Sequence, residues 1–176
     1  MSTMLIIIIV AVVIGFFLVS LYNKLVAYKN NRENAFADID VQLKQRHDLI
    51  PQLVSSVKGY MDHEAGVLTR VTEARSKAIN ATSIDGKIAA EQELGAALQG
   101  LQIQVEAYPD LKASSNFLQL QNEISDVENK LAAARRYFNS ATREFNVAVQ
   151  SFPSNLIAGM FGFHTEKMFD VGEVER

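Results

Sequence analysis

The sequence predicts an all-α protein: a single-pass N-terminal transmembrane helix, then an elongated antiparallel up-and-down four-helix bundle with long first and fourth helices. Three observations predict it. The chain opens on an uncharged apolar run at residues 4–22. Its only prolines are Pro51, Pro109 and Pro153, and the stretches between them are rich in Ala, Leu, Gln, Glu and Lys, all good helix formers. Two of those stretches place apolar residues three and four apart, the spacing of helices packed in a left-handed supercoil.

The run "MLIIIIVAVVIGFFLVSLY" is close to the roughly 20 residues that a helix needs to cross a hydrocarbon core. A cleaved signal peptide would carry a positive leader and a small-residue cleavage site. Neither Met1-Ser2-Thr3 nor "LVSLYNK" supplies them. No Lys or Arg precedes the span, whereas Lys24, Lys29 and Arg32 follow it closely, which predicts a short extracytoplasmic N-terminus (residues 1–3) and a cytoplasmic bundle. Tyr22 falls where an interfacial aromatic belongs.

The first soluble helix carries the seam Phe36, Ile39, Leu43, Arg46, Ile50, Leu53, Val57 and Tyr60. Arg46 is a charge on an apolar stripe, so it must find a carboxylate or leave the bundle. Pro51 removes one backbone hydrogen bond, and either the helix kinks there or Asp48 caps a new start; the unbroken phase of the seam favours a kink. Gly59 and the following "MDHEAG" mark a turn, with Asp62 as an N-cap. A second helix over about residues 64–81 turns Val67, Val71, Ala74 and Ala78 inward. "NATSIDGK" is a loop with Ser83 or Asp85 as cap. The third helix buries Leu94, Leu98, Leu101 and Val105 and stops at "AYPD", before Pro109.

The fourth helix has the longest seam: Phe117, Leu120, Ile124, Val127, Leu131, Ala134, Phe138, Ala141, Phe145, Ala148 and Phe152. One half of the stripe shrinks to alanine toward its end, where a neighbour can approach closely, and Pro153 stops the helix. Short connections make the bundle up-and-down, so this helix returns beside the first, and the two pair alone as a stalk near the membrane. The bundle then covers residues 23–152, an apolar membrane-proximal segment residues 153–169, and a flexible tail residues 170–176. In the apolar segment, Leu156, Ile157, Met160, Phe161 and Phe163 are expected to dip into the headgroup boundary or to pack between neighbouring copies. The alternative is that the segment folds back onto the stalk as ordinary packing.

Chemistry is sparse. The net charge is -3 with signs mixed along the chain, which excludes the basic stripe of a nucleic-acid binder. The absence of cysteine excludes disulfides, thiolate zinc sites and a cysteine nucleophile. His47, His63 and His164 sit in separate segments without H-E-x-x-H or Glu-x-x-His spacing, and are read as solvated surface residues. Arg135 and Arg136 lie outside the seam, where Glu128 or Asp126 can pair with them. No catalytic residue, metal or cofactor is expected.

Three blocks, "RHDLIPQLVSSVKGYMDHE", "AYPDLKASSNFLQLQNEI" and "FPSNLIAGMFGF", resemble the LemA family. The resemblance runs from the membrane span to Phe163 and leaves "GEVER" outside. It implies a bacterial protein anchored in the inner membrane with an extracytoplasmic N-terminus and a helical bundle, in a family of which one branch is associated with building magnetosome membranes. It implies no catalytic residue. It singles out Arg46, Asp48, Pro51, Tyr108, Pro109, Asp110, Pro153, Asn155 and Gly159 as structural or partner-contact residues, most of which kinking, capping and turns would explain.

The expected function is a non-enzymatic, self-assembling membrane scaffold whose partners are the lipid bilayer and further copies of itself. The alternative is a membrane-tethered adaptor that presents its distal turns, "GYMDHEAG" and "AYPDLK", to a membrane protease or another membrane protein.

Overall fold

The computed structural model describes residues 3–61 and 64–169. The cap expected of Asp62, His63 and the tail 170–176 lie outside the described residues. Among these residues every regular element is helical: α1 (Thr3–Lys58), α2 (Ala65–Asn80), α3 (Ile84–Val105), α4 (Pro109–Lys112), α5 (Ser115–Gln150) and α6 (Ser154–Phe161). The expected span and first bundle helix are thus one helix. The described residues form two compact units, one of residues up to Phe36 with Arg136–Met168, the other of Ala37–Arg135 with Phe169.

In the second unit, parts of α1, α2, α3 and α5 share one core that includes Ile50, Leu53, Val71, Ala74, Leu94, Leu101, Leu111 and Phe117. Helix α1 continues through Pro51 instead of restarting at Asp48. Proline takes away the N–H that would bond to His47 O. That carbonyl is not orphaned, because Arg75 Nε of α2 donates to it at 2.7 Å. Tyr60 does not continue the seam: α1 ends at Lys58, Tyr60 is exposed, and Met61 is fully buried in its stead. The tight turn makes this exchange, with the Tyr60 and Met61 amides both donating to Val57 O at 3.0 Å.

Helix α2 buries Leu68, Val71, Ala74 and Ala78, while Val67 is only half-buried. Ser83 caps α3 by accepting from Gly86 N at 3.0 Å, so the helix starts at Ile84 and the loop is shorter than the stretch to Lys87. Leu98 is half-buried, and Ile88 and Glu91 join the inward face. The segment "AYPD" does more than end α3. Pro109 takes the first turn of α4, where a missing N–H costs nothing, and the turn drives Leu111 into the core.

In the first unit, Phe36 and Phe138 meet edge to face with ring centroids 5.4 Å apart, and Ala141 and Phe145 are buried beyond them. α1 and α5 do not pair alone here, since α6 and the extended stretch 163–168 pack with them. Phe152 leaves the seam and is 81% exposed, because α5 stops at Gln150. Gly162 ends α6 at φ 73°, a left-handed conformation that favours glycine, and the Phe163 amide closes the cap onto Ala158 O at 2.9 Å.

Candidate functional site

The apolar residues of α1 from Met4 to Val19 point to open space, and none of the membrane-length window is buried. Where this stretch ends, α6 lies against it. Ile157 and Ala158 close on Leu25, flanked by Leu21, Tyr22, Ala148, Val149 and Phe163. Tyr22 stacks at 4.8 Å on Phe161 and 5.9 Å on Phe163, and Phe163 reaches Phe145 at 6.4 Å. Ser154 anchors the start of α6, its hydroxyl 2.6 Å from Ala148 O in the last turn of α5 and 2.9 Å from Ser151 O just after it.

The five apolar residues singled out in this segment therefore part company. Ile157 is core and Phe163 half-buried, a correction to the expectation that all five face the bilayer or another copy. Leu156, Met160 and Phe161 are 58%, 78% and 59% exposed. Asn155 is exposed and its backbone N–H donates to Ser151 O, and Gly159 faces open space, so no close approach requires glycine there. Pro153 is half-buried at the turn.

A second feature of this unit follows from Arg32, which sequence reasoning counted only as a flanking charge. It is 4% exposed, stacks over Phe138 at 4.9 Å, donates to Thr142 Oγ1 and to Lys167 O at 3.2 Å each, and lies 3.5 Å from Glu166. The Asn146 side chain holds the same stretch like a strand edge: its Nδ2 donates to Glu166 O at 2.9 Å, and its Oδ1 accepts from Glu166 N at 2.8 Å.

The second unit holds a buried charge network. Arg46 donates from Nη1 to Glu91 Oε2 at 3.0 Å, and His47 Nε2 lies 2.5 Å from Glu91 Oε1. Glu128 Oε1 is 2.8 Å from Arg46 Nε without accepting its hydrogen, a charge contact only. Arg135 reaches Glu128 at 3.9 Å and covers the ring of Phe169 at 4.9 Å. His47 is buried, which corrects its reading as a solvated histidine: it follows Arg46 on α1 and faces the same carboxylate. His164 is exposed.

Glu91 was missed, yet it stands on the three-four series Ile88, Glu91, Leu94, Leu98, Leu101, Val105, which marks it as inward. Asp48, Pro51, Pro109 and Asp110 are exposed, and Tyr108 is half-buried against the core. An open groove of about 550 Å³ runs past Arg46 and Glu128 over Leu53, Leu98, Leu101 and Phe117. Among the described residues no group of three or more His, Asp or Glu side chains is placed to hold a metal ion.

This is the build of a membrane-associated helical protein: among the described residues one helix is long and apolar enough to cross a bilayer, and an apolar, aromatic element lies beside the end of its apolar stretch. The chain belongs to the LemA family, whose sequence pattern matches residues 35–176. The match takes in "GEVER", which the sequence blocks had left outside. The chain is 30% identical over 156 residues to Protein LemA of Metamycoplasma hominis, covering 88% of this chain and 71% of that one. It is 21% identical over 174 residues to Magnetosome protein MamQ of Magnetospirillum gryphiswaldense, covering 84% of this chain, and it spans 64% of that relative's length. The same figures hold for Magnetosome protein MamQ 2 of Paramagnetospirillum magneticum.

Proposed function

We propose that this protein is a non-enzymatic scaffold, anchored in the bacterial inner membrane by residues 4–22, that self-assembles there and organises or shapes the bilayer. The observation that carries the proposal is the exposed apolar surface: the whole span on α1 continues onto Leu156, Met160 and Phe161 of α6, more than an isolated chain leaves open to water. Relatives named as magnetosome proteins support a role in organising membrane. Lys24 and Lys29 favour a cytoplasmic bundle and an extracytoplasmic N-terminus.

The up-and-down arrangement belongs to the same proposal. Leu25 packs near Ala148, Arg32 meets Thr142 and Phe36 meets Phe138, so contacts on α5 run back as those on α1 run forward. Asp40 meets Lys87 and His47 meets Glu91, so α1 and α3 run alike. The adaptor reading draws its support from the apolar-floored groove of about 550 Å³ and from the exposed Tyr60, Pro109 and Asp110 near the turns.

The mass of the full-length protein, gently extracted with its lipids and measured by mass photometry, tests the scaffold. A discrete large particle is expected. A monomer or small dimer overturns self-assembly and leaves the adaptor.

A further inference from the structure

We propose that α6 is a second membrane contact: a wedge set into the leaflet from which α1 emerges, with Leu156, Met160 and Phe161 at the boundary between headgroups and acyl chains. The inference rests on α1 spanning the bilayer, and it assigns the exposed face of α6 to lipid and not to another copy of the chain.

From Met4 to Tyr22, at about 1.5 Å per residue, α1 rises by roughly the 30 Å thickness of a hydrocarbon core. Tyr22 therefore stands at the core's edge. The α1 residues that α6 touches are Leu21, Tyr22 and Leu25, within about one helical turn of that edge. A helix held there is at the level of the headgroup boundary whatever its tilt.

Helix α6 divides into faces. Ile157 and Ala158 are spent on Leu25 and its neighbours, which fixes the helix to α1. Leu156 and Met160, four residues apart, share another flank, about 100° and about 60° round from Ile157, and stand open there at 58% and 78% exposure. Asn155 and Gly159, also four apart, form a polar and small back. An apolar flank beside a polar back is the pattern of a helix lying in the interface plane.

Phe161, 59% exposed, stacks on Tyr22, so the apolar surface of the span passes onto α6 through two aromatic rings, the side chains best suited to the headgroup level. Lys24, two residues after Tyr22, and His164, next after Phe163, are both exposed. The surface next to the patch is thus one that lipid already covers, whereas a second copy would have to displace that lipid first.

The chain contains no Trp and no Cys, so single-site probes read α6 without background. The test uses full-length Met160→Trp in phosphatidylethanolamine and phosphatidylglycerol vesicles whose acyl chains are brominated at upper or deep positions. Because tryptophan itself favours interfaces, Leu156→Cys, challenged with a membrane-impermeant maleimide added to either side, gives a second reading. The wedge predicts blue-shifted emission quenched most by bromine near the top of the chains, the same at all protein-to-lipid ratios, and Leu156→Cys labelling slower than His164→Cys.

Water-like emission quenched by aqueous iodide, with Leu156→Cys labelled as fast as His164→Cys, overturns it. So does emission shielded from both quenchers and lost on dilution into excess lipid, since a second copy is then the cover. Alkaline extraction and particle mass, taken on the same vesicles, keep the other proposals separate. Release of the protein at high pH fails the anchor and takes the wedge with it, whereas a monomeric particle with bromine-quenched emission fails only self-assembly.

Discussion

Replacing Glu91 should separate two ways of damaging a buried charge network. The Glu91 side chain is 2% exposed and that of Arg46 7%, and the carboxylate uses one oxygen for Arg46 and the other for His47. In Glu91→Leu both partners lose their acceptor inside the protein, for which breaking a buried pair typically costs about 3–5 kcal/mol. Arg46 keeps Glu128 at 2.8 Å, but that carboxylate is 36% exposed and screened by water, so the expected loss is near 3 kcal/mol. Glu91→Gln keeps the shape. Its carbonyl can still accept from Arg46 while its NH₂ donates to a neutral His47 ring, so the loss should be about 1–2 kcal/mol. Adding Arg46→Met to Glu91→Leu removes the stranded charge, and the double variant should recover part of the loss, a coupling of roughly 1–3 kcal/mol. The assay is thermal unfolding of the full-length protein followed by circular dichroism, at about 2–4 °C per kcal/mol for a chain of this size. Equal effects of Leu and Gln, or a double variant that merely sums the singles, would refute the idea that Arg46 and Glu91 depend on each other.

Phe138→Ala should cost about 3–5 kcal/mol, since the ring is fully buried under Arg32 and against Phe36; a change under 1 kcal/mol in the same melt would mean a site that collapses freely. Ala141→Leu should cost about 1–3 kcal/mol by overpacking a side chain that is 3% exposed, and unchanged stability would show that the small residue is not needed. Asn146→Ala should free the stretch around Glu166, seen as faster hydrogen exchange at the Glu166 amide with α5 still protected; unchanged exchange would assign the hold to Arg32.

The helical class and most of the core were legible because both are set by local pattern. On α1 and α5 the three-four spacing picked out Ile39, Leu43, Ile50, Leu53, Val57, Leu131 and Phe138, all buried. What the period does not contain is its own end. Tyr60 and Phe152 extend each seam by one more step, and both lie beyond the last helical residue, where the backbone turns and the phase is lost. Met61 takes the core position because a turn, not a helix, aims it. Pro109 was read as a stop when it was a start, since a proline's missing N–H serves the first turn of one helix as well as the break after another. In "SNLIAGMF" composition marked the segment as interfacial. Only the fold against Leu25 could sort Ile157 from Leu156, because at eight residues one helix has too few turns for its buried stripe to be read by period alone.

The two buried arginines of α1 obey a rule that the seam itself contains. Leu25, Arg32, Ile39, Arg46 and Leu53 follow one another at intervals of seven and are 1%, 4%, 0%, 6% and 7% exposed, so arginine and aliphatic residues alternate at one heptad position. A seam of leucine and isoleucine alone would be nearly as well satisfied after a slip of one heptad, because each side chain would find a similar neighbour. Here a slip of seven residues sets Arg32 in the place of Ile39 and Arg46 in the place of Leu53. There they lose Thr142 and Glu166 in one unit, and Glu91 in the other. Each misplaced guanidinium would be buried without a carboxylate, and a penalty of several kcal/mol at two sites outweighs the small differences between aliphatic contacts. Buried ion pairs add little net stability compared with apolar packing, so their use on this helix is better explained by the registers they forbid than by the energy they contribute.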